Sequence, residues 1–270
     1  MPITLDQIIA AARRRIAGAR KATDVRQLER LAAGHTPRGF RSVLQSKRRS
    51  GTAIIAELKK ASPSRGVIRG HFQVSSLAQD LQQAGAAALS VLTDEEFFQG
   101  SLENLQQASG ATVLPCLRKD FILDEFQILE ARANHADAVL LIAAALSQTE
   151  LTNLAAKARE YELDVLCEAH DEAELRRALS AGCDLVGVNS RDLRSFEVNL
   201  DTALRLAECI PNGVLKVAES GIENGGDIAR LRSAGYDAFL IGESLMKAAS
   251  PREALRGLLA ESAAPAGSRA

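Results

Sequence analysis

Eight short, almost unbroken apolar runs recur along the chain, and longer amphipathic segments separate them. The runs are Ala53–Leu58, Ala87–Leu92, Thr112–Leu117, Ala138–Ile142, Asp164–Cys167, Leu185–Asn189, Val214–Ala218 and Ala238–Ile241. A strand with one wet face alternates apolar and polar residues. These runs do not, so both faces are expected to be covered, as in parallel strands flanked by helices. Eight strand–helix repeats within 270 residues predict an α/β fold, a (β/α)8 TIM barrel. A doubly wound open sheet is the alternative. It is less favoured, because it has fewer strands and a Gly-rich turn after the first one, which this chain lacks.

Helix punctuation supports the barrel. Ser147-Gln148-Thr149-Glu150 reads as a capping box, and Ser250-Pro251-Arg252-Glu253 as another with Pro at the first helical position. Ala84-Gly85, Ala181-Gly182 and Ala234-Gly235 each stand where a helix ends before a strand. Residues 1–50 precede the first strand and form an N-terminal helical extension. Leu5, Ile8, Ile9, Ala12 and Ile16 fall at helical spacing, which predicts an amphipathic helix with its basic face outward. A second helix is expected over Arg38 to Lys47. The extension either covers one barrel end or packs on the outer helices. The barrel is expected over 51–260, with a disordered tail over 261–270, whose residues are small and polar.

Composition excludes several functions. Lys and Arg total 33 and Asp and Glu 34, so neither a nucleic-acid nor a membrane partner is expected. The longest apolar run, Ala138 to Leu146, is far too short to span a bilayer. Asp6 interrupts the N-terminal apolar stretch, so no secretory signal is read. Cys116, Cys167, Cys183 and Cys209 lie far apart, which suits buried free thiols in the cytoplasm. The four histidines show no ligand spacing, so no metal site is expected.

The chemistry gathers at the strand ends. Strand one ends Glu57-Leu58-Lys59, strand three runs into Arg118-Lys119-Asp120, and strand five ends at Glu168. Strand six ends Asn189-Ser190-Arg191 and strand seven Glu219-Ser220-Gly221. A parallel barrel brings all these ends to one face, where barrel enzymes keep their active sites. Lys119 and Glu168, from different strands, can bracket a substrate as acid and base, and Lys59 and Arg191 suit anionic groups. Gly221 and Gly242 follow the last two strands and precede helices, a place where barrels bind phosphate on backbone N–H groups.

The stretch Ile55-Ala56-Glu57-Leu58-Lys59-Lys60-Ala61-Ser62-Pro63-Ser64-Arg65-Gly66 resembles the first-strand signature of the indole-3-glycerol phosphate synthase family. The similarity continues through Ser90–Glu95, Phe98–Ser101, Leu117–Phe121, Gly187–Leu193, Ala218–Ile222 and Leu240–Met246. It covers residues 50 to 250. The resemblance implies a single-domain barrel with no metal or organic cofactor. It implies conversion of 1-(2-carboxyphenylamino)-1-deoxyribulose 5-phosphate to indole-3-glycerol phosphate, CO₂ and water, in tryptophan biosynthesis. By that resemblance Lys119 is the general acid on the substrate carbonyl, and Glu168 assists proton removal and loss of water. Glu57 and Lys59 form a catalytic pair. Asn189, Arg191, Glu219, Ser220, Ser62 and Phe121 bind substrate. Gly221, Ile222, Gly242 and Glu243 hold its phosphate. Phe97, Phe98, Phe121 and Leu193 are candidate walls for the aromatic ring, with core packing the competing role. Departures from the family pattern are Ala61 in place of a basic residue, Gly70-His71 before Phe72, and Glu243 where other members carry Ser.

The expected partner is a phosphorylated small molecule, and the expected state a monomer or weak homodimer. Another phosphosugar barrel, such as a phosphoribosyl isomerase, would share the phosphate loops without needing both acid–base sets. A catalytically inactive barrel would have no reason to gather charges that cost desolvation energy.

Overall fold

Eight parallel strands, largely apolar up to their C-terminal ends, close into a barrel in which the first strand pairs with both the second and the last. The computed structural model describes residues 4–192 and 197–263. The barrel strands are β1 (Ala53–Leu58), β4 (Ala88–Leu92), β5 (Cys116–Lys119), β6 (Ala138–Ile142), β7 (Asp164–Ala169), β8 (Leu185–Asn189), β9 (Leu215–Glu219) and β10 (Ala238–Ile241). A two-stranded antiparallel hairpin, β2 (Ala61–Ser62) with β3 (Gly66–Val67), occupies the first strand-to-helix loop.

The helical layer comprises α4 (Val74–Ala84), α5 (Glu95–Phe98), α6 (Leu102–Ala111), α7 (Glu125–Ala133), α8 (Gln148–Glu160) and α9 (Glu172–Ser180). It continues with α10 (Leu200–Ala207), α11 (Gly225–Ser233), α12 (Glu243–Lys247) and α13 (Pro251–Ala263). Helix signals hold where side chains make them. Ser147 and Glu150 form the reciprocal capping box of α8, whereas at α13 only half of the expected box is made: Ser250 Oγ accepts the Glu253 N–H, and the Glu253 carboxylate pairs with Arg256. None of the helices among the described residues is long and apolar enough to cross a membrane.

Four expectations need correction. The third strand runs over Cys116–Lys119, not Thr112–Leu117. Thr112 instead ends α6, its hydroxyl donating to the Ala108 carbonyl, and Val113 faces solvent. The N-terminal extension contains three helices, α1 (Leu5–Ala22), α2 (Val25–Ala33) and α3 (Phe40–Ser50). α2 starts at Asp24, whose carboxylate accepts from Arg26 and Gln27 N–H, and α3 starts two residues later than expected, after Gly39 in the left-handed region. The basic face of α1 is not wholly outward, because Arg15 turns in to Asp94 and Asp120. The last helix passes the expected boundary at 260, and Ser262 is buried and bonded to Thr52. Positions 264–270 of the expected tail lie outside the described residues.

The extension touches both barrel ends. From α1, Leu5 and Ile8 line the cavity at the C-terminal ends of the strands. From α3, the fully buried Phe40 and Leu44 pack toward β1 and β4.

Candidate active site

Alternation along each strand decides which polar end group faces the barrel axis. In β5, Lys119 points inward while its neighbour Arg118 points to the helical layer. There Arg118 donates to the Gln127 carbonyl and pairs with Glu130, at 3.0 and 2.8 Å. In β1, Glu57 points inward, and Lys59, one residue past the strand, lies 2.7 Å from it. Glu168 closes in from β7 and Glu219 from β9.

The centre of the site is the Lys119 ammonium, which lies 2.7 Å from Glu219, 3.4 Å from Glu168 and 4.0 Å from Glu57. Three carboxylates can approach so closely only because two strand neighbours are glycines. A Cβ on Gly187 would stand 2.0 Å from a Glu219 oxygen, and one on Gly242 would stand 2.2 Å from a Glu57 oxygen. Any larger residue at either place would push a carboxylate out of the cluster.

Burial and charge act against each other here. Burial opposes the Lys119 cation, but three carboxylates overcome it and hold its pKa above the usual lysine range. Burial opposes the Glu57 anion, and Lys59 and Lys119 overcome it, so Glu57 titrates below the usual range. Glu168 is also held low, since Lys119, His170 and the Asn189 amide outweigh its burial. Glu219 goes the other way. Burial, reinforced by the Glu168 charge, pushes it up to about 7 despite Lys119. The cluster therefore holds one carboxyl group that exchanges a proton near neutrality beside two that stay ionised.

A cavity of about 600 Å³ opens above this cluster, and the residues expected to be catalytic, to bind substrate or to hold phosphate all line it. Glu57, Lys59, Lys119 and Glu168 form the floor of the cavity together with Glu219 and Asn189. Ser62 and Phe121 stand on its walls with Phe98, Leu5, Ile8 and Leu140. Phe97 is not among the lining residues and packs against the core instead, and Leu193 lies outside the described residues. Ser220, Gly221, Ile222, Gly242, Glu243 and Arg191, in and after the loops that follow β8, β9 and β10, complete the lining. Ser220 and Gly221 both have positive φ, 64° and 77°, a costly conformation for Ser that turns the chain sharply at the end of β9.

Glu243 gathers cations around its side chain. Its side chain collects Arg65 at 3.2 Å, Arg191 at 3.1 Å and Lys247 at 2.6 Å. Burial opposes its charge, and these cations outweigh that and hold its pKa below the usual range. A carboxylate cannot donate to a phosphate, so only its backbone N–H could serve there.

Several residues escaped the sequence reading. Arg15 bridges Asp94 and Asp120, at 2.7 Å each, tying α1 to the loops after β4 and β5. Asp120, next to Lys119, also accepts from Thr93, Arg118 and the Phe121 N–H. His170, two residues past Glu168, lies 3.3 Å from it. The available signal for His170 was its place at a strand end, the signal already used for Glu168. Arg65 sits in the quoted first-strand signature, and Lys247 lies one helical turn past Glu243.

The comparisons agree with this geometry. The family model for indole-3-glycerol phosphate synthase matches residues 5–258. A protein of Koribacter versatilis (strain Ellin345) with that name is 56% identical over 259 residues, covering 96% of this chain and 100% of the relative. Its namesake in Burkholderia vietnamiensis (strain G4 / LMG 22486) is 47% identical over 252 residues, covering 93% and 97%. Among solved structures, thiamine phosphate pyrophosphorylase from Pyrococcus furiosus superposes with a TM-score of 0.59 at 18% identity, covering 79% of this chain and 96% of that one. A mandelate oxidase variant gives 0.57 at 17%, covering 78% and 72%. These two share the barrel fold alone. The motifs at the strand ends, the match along nearly the whole length and the relatives at 47–56% identity lead to one assignment: the chain belongs to the indole-3-glycerol phosphate synthase family.

Proposed function

We propose that Lys119 is the general acid of an indole-3-glycerol phosphate synthase, and that the three carboxylates around it manage the remaining protons. The enzyme is a carboxy-lyase that closes the pyrrole ring of 1-(2-carboxyphenylamino)-1-deoxyribulose 5-phosphate with loss of CO₂ and water. The observation that carries the proposal is the Lys119 ammonium held among Glu219, Glu168 and Glu57 in a cavity walled by apolar side chains.

Ring closure puts negative charge on a former carbonyl oxygen. A cation already in place at that oxygen costs no reorganisation when the charge develops. Lys119 is charged in the resting state, because its neighbours raise its pKa, so it supplies both the field and the proton. As the ring carbon attacks, the oxygen takes that proton, and the carboxylate on the same ring carbon leaves as CO₂. Loss of water then needs an acid at the new hydroxyl and a base at the adjacent C–H. Glu168 is placed for the base, and the Glu57–Lys59 pair holds the opposite side of the substrate. Glu219, with its proton exchanging near neutrality, together with Asn189, orients the reacting chain.

The phosphate is assigned to the turns after β9 and β10, on the N–H groups around Gly221, Ile222, Gly242 and Glu243. Arg65, Arg191 and Lys247 supply positive charge beside it. Phe98, Phe121, Leu5 and Ile8 offer the apolar wall for the ring, and Ser62 a hydroxyl at its edge. We further place the protein in the cytoplasm as a monomer or weak homodimer. In support, all four cysteines are free thiols, and the exposed large apolar side chains are scattered over α2, the hairpin and two loops.

The test is a fluorescence assay of indole-3-glycerol phosphate formation with Lys119→Ala. A general acid contributes about 10²- to 10⁴-fold, so kcat is expected to fall by that much while KM changes little. Unchanged kcat would remove Lys119 from the chemistry.

A further inference from the structure

His170 stands one residue beyond β7, between the cavity and the protein surface. Its Nε2 is 3.3 Å from a Glu168 oxygen. That nitrogen is buried, off-line for a full hydrogen bond, and has no other partner among the described residues. Its Nδ1 is 2.9 Å from Glu174, in the first turn of α9. The same Glu174 oxygen accepts the His170 backbone N–H at 2.9 Å, which fixes ring and carboxylate together. On the inner side, the other Glu168 oxygen is 3.4 Å from Lys119. From outside to inside the order is Glu174, His170, Glu168, Lys119. The charged groups facing the ring are Glu168 from β7 and Glu174 from α9, with Lys119 of β5 beyond Glu168. Solvent reaches the outer end, since the His170 and Glu174 side chains are 14% and 17% exposed against 3% for Glu168.

The reaction needs such a route. One C–C bond forms, and the carbonyl oxygen takes a proton. The bond to CO₂ breaks, and its electron pair restores the aromatic ring. The C–O bond then breaks, with the oxygen leaving as water after a second proton arrives, and one C–H proton next to nitrogen goes to a base. Two protons enter and one leaves. Starting from the ionised carboxylate, each turnover consumes one proton. Glu168 is buried at 3% exposure, and Lys119, at 16%, lines the cavity that the substrate fills.

We propose that His170 is a proton-relay residue that passes protons from solvent, through Glu174, to the Glu168–Lys119 pair. The proposal rests on the assignment of Lys119 and Glu168 to the chemistry. Imidazole suits the task because it can release a proton from Nε2 while receiving one at Nδ1, without moving. The ring enters each turnover charged. Burial opposes its cation, but Glu168 and Glu174 outweigh this and raise its pKa to about 10. His170 acts through Glu168, so it is a positioning and relay residue rather than a catalytic one.

The test separates relay from mere orientation. In His170→Gln the amide can still donate to Glu168 but cannot conduct a proton. Its kcat is expected to fall about 10-fold, below the effect of a direct acid, with KM unchanged. The alkaline limb of its kcat profile should move, and imidazole added to the buffer should restore part of the rate. Glu174→Gln, which cuts the outer end without touching the cavity, should show a smaller loss in the same direction, and it serves as the readout if His170→Gln does not melt cooperatively. Wild-type kcat and pH profile in these variants, or a loss equal at every pH that imidazole does not restore, would overturn the relay. If Lys119→Ala is meanwhile inactive, the site assignment survives. An active Lys119→Ala would take the assignment and the relay down together.

Discussion

At the N-terminal ends of the strands, Asp137 accepts hydrogen bonds from the Arg38 backbone and guanidinium and from the Cys116 N–H, and His35 lies 3.3 Å away. At the C-terminal ends, Glu219 shares Lys119 with two other carboxylates, and one of its oxygens has no partner among the described residues. Both groups are buried acids in one barrel. The first has donors on both of its oxygens. The second is short of them. A buried acid without enough donors is a cost to the fold, which is what a site kept ready for a substrate looks like.

The Asp137 arrangement is repeated along the N-terminal ends of the strands, the floor of the barrel as distinct from the floor of the cavity. Asp137, Asp164, Asp184 and Asp237 each stand at the start of a strand, and the segment from Arg38 through α3 meets all four. The Arg41 N–H donates to Asp164 at 2.8 Å, its guanidinium pairs with Asp184 at 3.0 Å, and Arg48 pairs with Asp237. The extension therefore stitches one end of the barrel shut, while α1 leans over the other and is held there by Arg15.

The largest expected effects fall on opposite quantities at the two ends. Lys119→Ala is expected to lose about 10²- to 10⁴-fold in kcat with the fold retained by circular dichroism. Asp137→Ala removes the acceptor of the buried Cys116 N–H and the carboxylate partner of the half-buried Arg38. It is expected to lose about 3–5 kcal/mol of unfolding free energy in a denaturant titration. Its kcat, measured where it is still folded, should stay within about twofold of the parent, since distant positions with no shared partners act nearly independently. A large kcat loss in Asp137→Ala with stability intact would break the division between the ends.

How much of this was legible beforehand follows from which interactions leave a periodic trace. The strands were readable because burial on both faces writes itself as an apolar run, and the catalytic candidates were readable because a parallel barrel sends every strand end to one place. Thr112 and Val113 misled, because β-branched residues favour strands, and only Pro115 and the α6 terminus settled the strand start at Cys116. Arg15 was read as solvated, because three successive arginines give no hint that one of them reaches Asp94 and Asp120, 79 and 105 residues away. The floor pairs were invisible for the same reason. Each joins residues with no fixed spacing, and the Arg38–Asp137 link spans 99 positions.

A smaller effect tests the comparison through pH. Asp137 is held below the usual carboxylate range, because His35, Arg38 and the Cys116 N–H outweigh its burial. Its contribution is present above 3.8 and is lost as pH falls through its lower native value. Glu219 has the opposite sign. Its native pKa lies above its ordinary value of 4.5, at about 7, so the folded state binds the extra proton and stability declines as pH rises across that interval. His170 adds to the decline, its contribution being complete below 6.5 and lost as pH rises through about 10. Melting temperatures of Glu219→Gln should therefore fall less than the parent's between the two Glu219 values. Its kcat/KM profile should lose an ionisation near neutrality that belongs to the coupled Glu219–Glu168–Lys119 set. An unchanged profile would mean that Glu219 is as fully satisfied as Asp137, and the contrast between the ends would fail.

The smallest expected effect concerns Glu243, where the mouth looks most like the floor. One carboxylate gathers Arg65, Arg191 and Lys247 on the rim of the lobe assigned to phosphate. If these cations serve the ligand, the carboxylate competes with phosphate for them, and Glu243→Gln should tighten binding of indole-3-glycerol phosphate. Partly exposed ion pairs are worth about 0–1 kcal/mol, so the gain in Kd by calorimetry is expected to be no more than about fivefold. The difference should shrink in high salt, where such charges are screened. Weaker binding in Glu243→Gln would show instead that the carboxylate holds the cations in position, as Asp137 holds Arg38. The division would then run between the catalytic cluster and everything around it rather than between the two ends of the barrel.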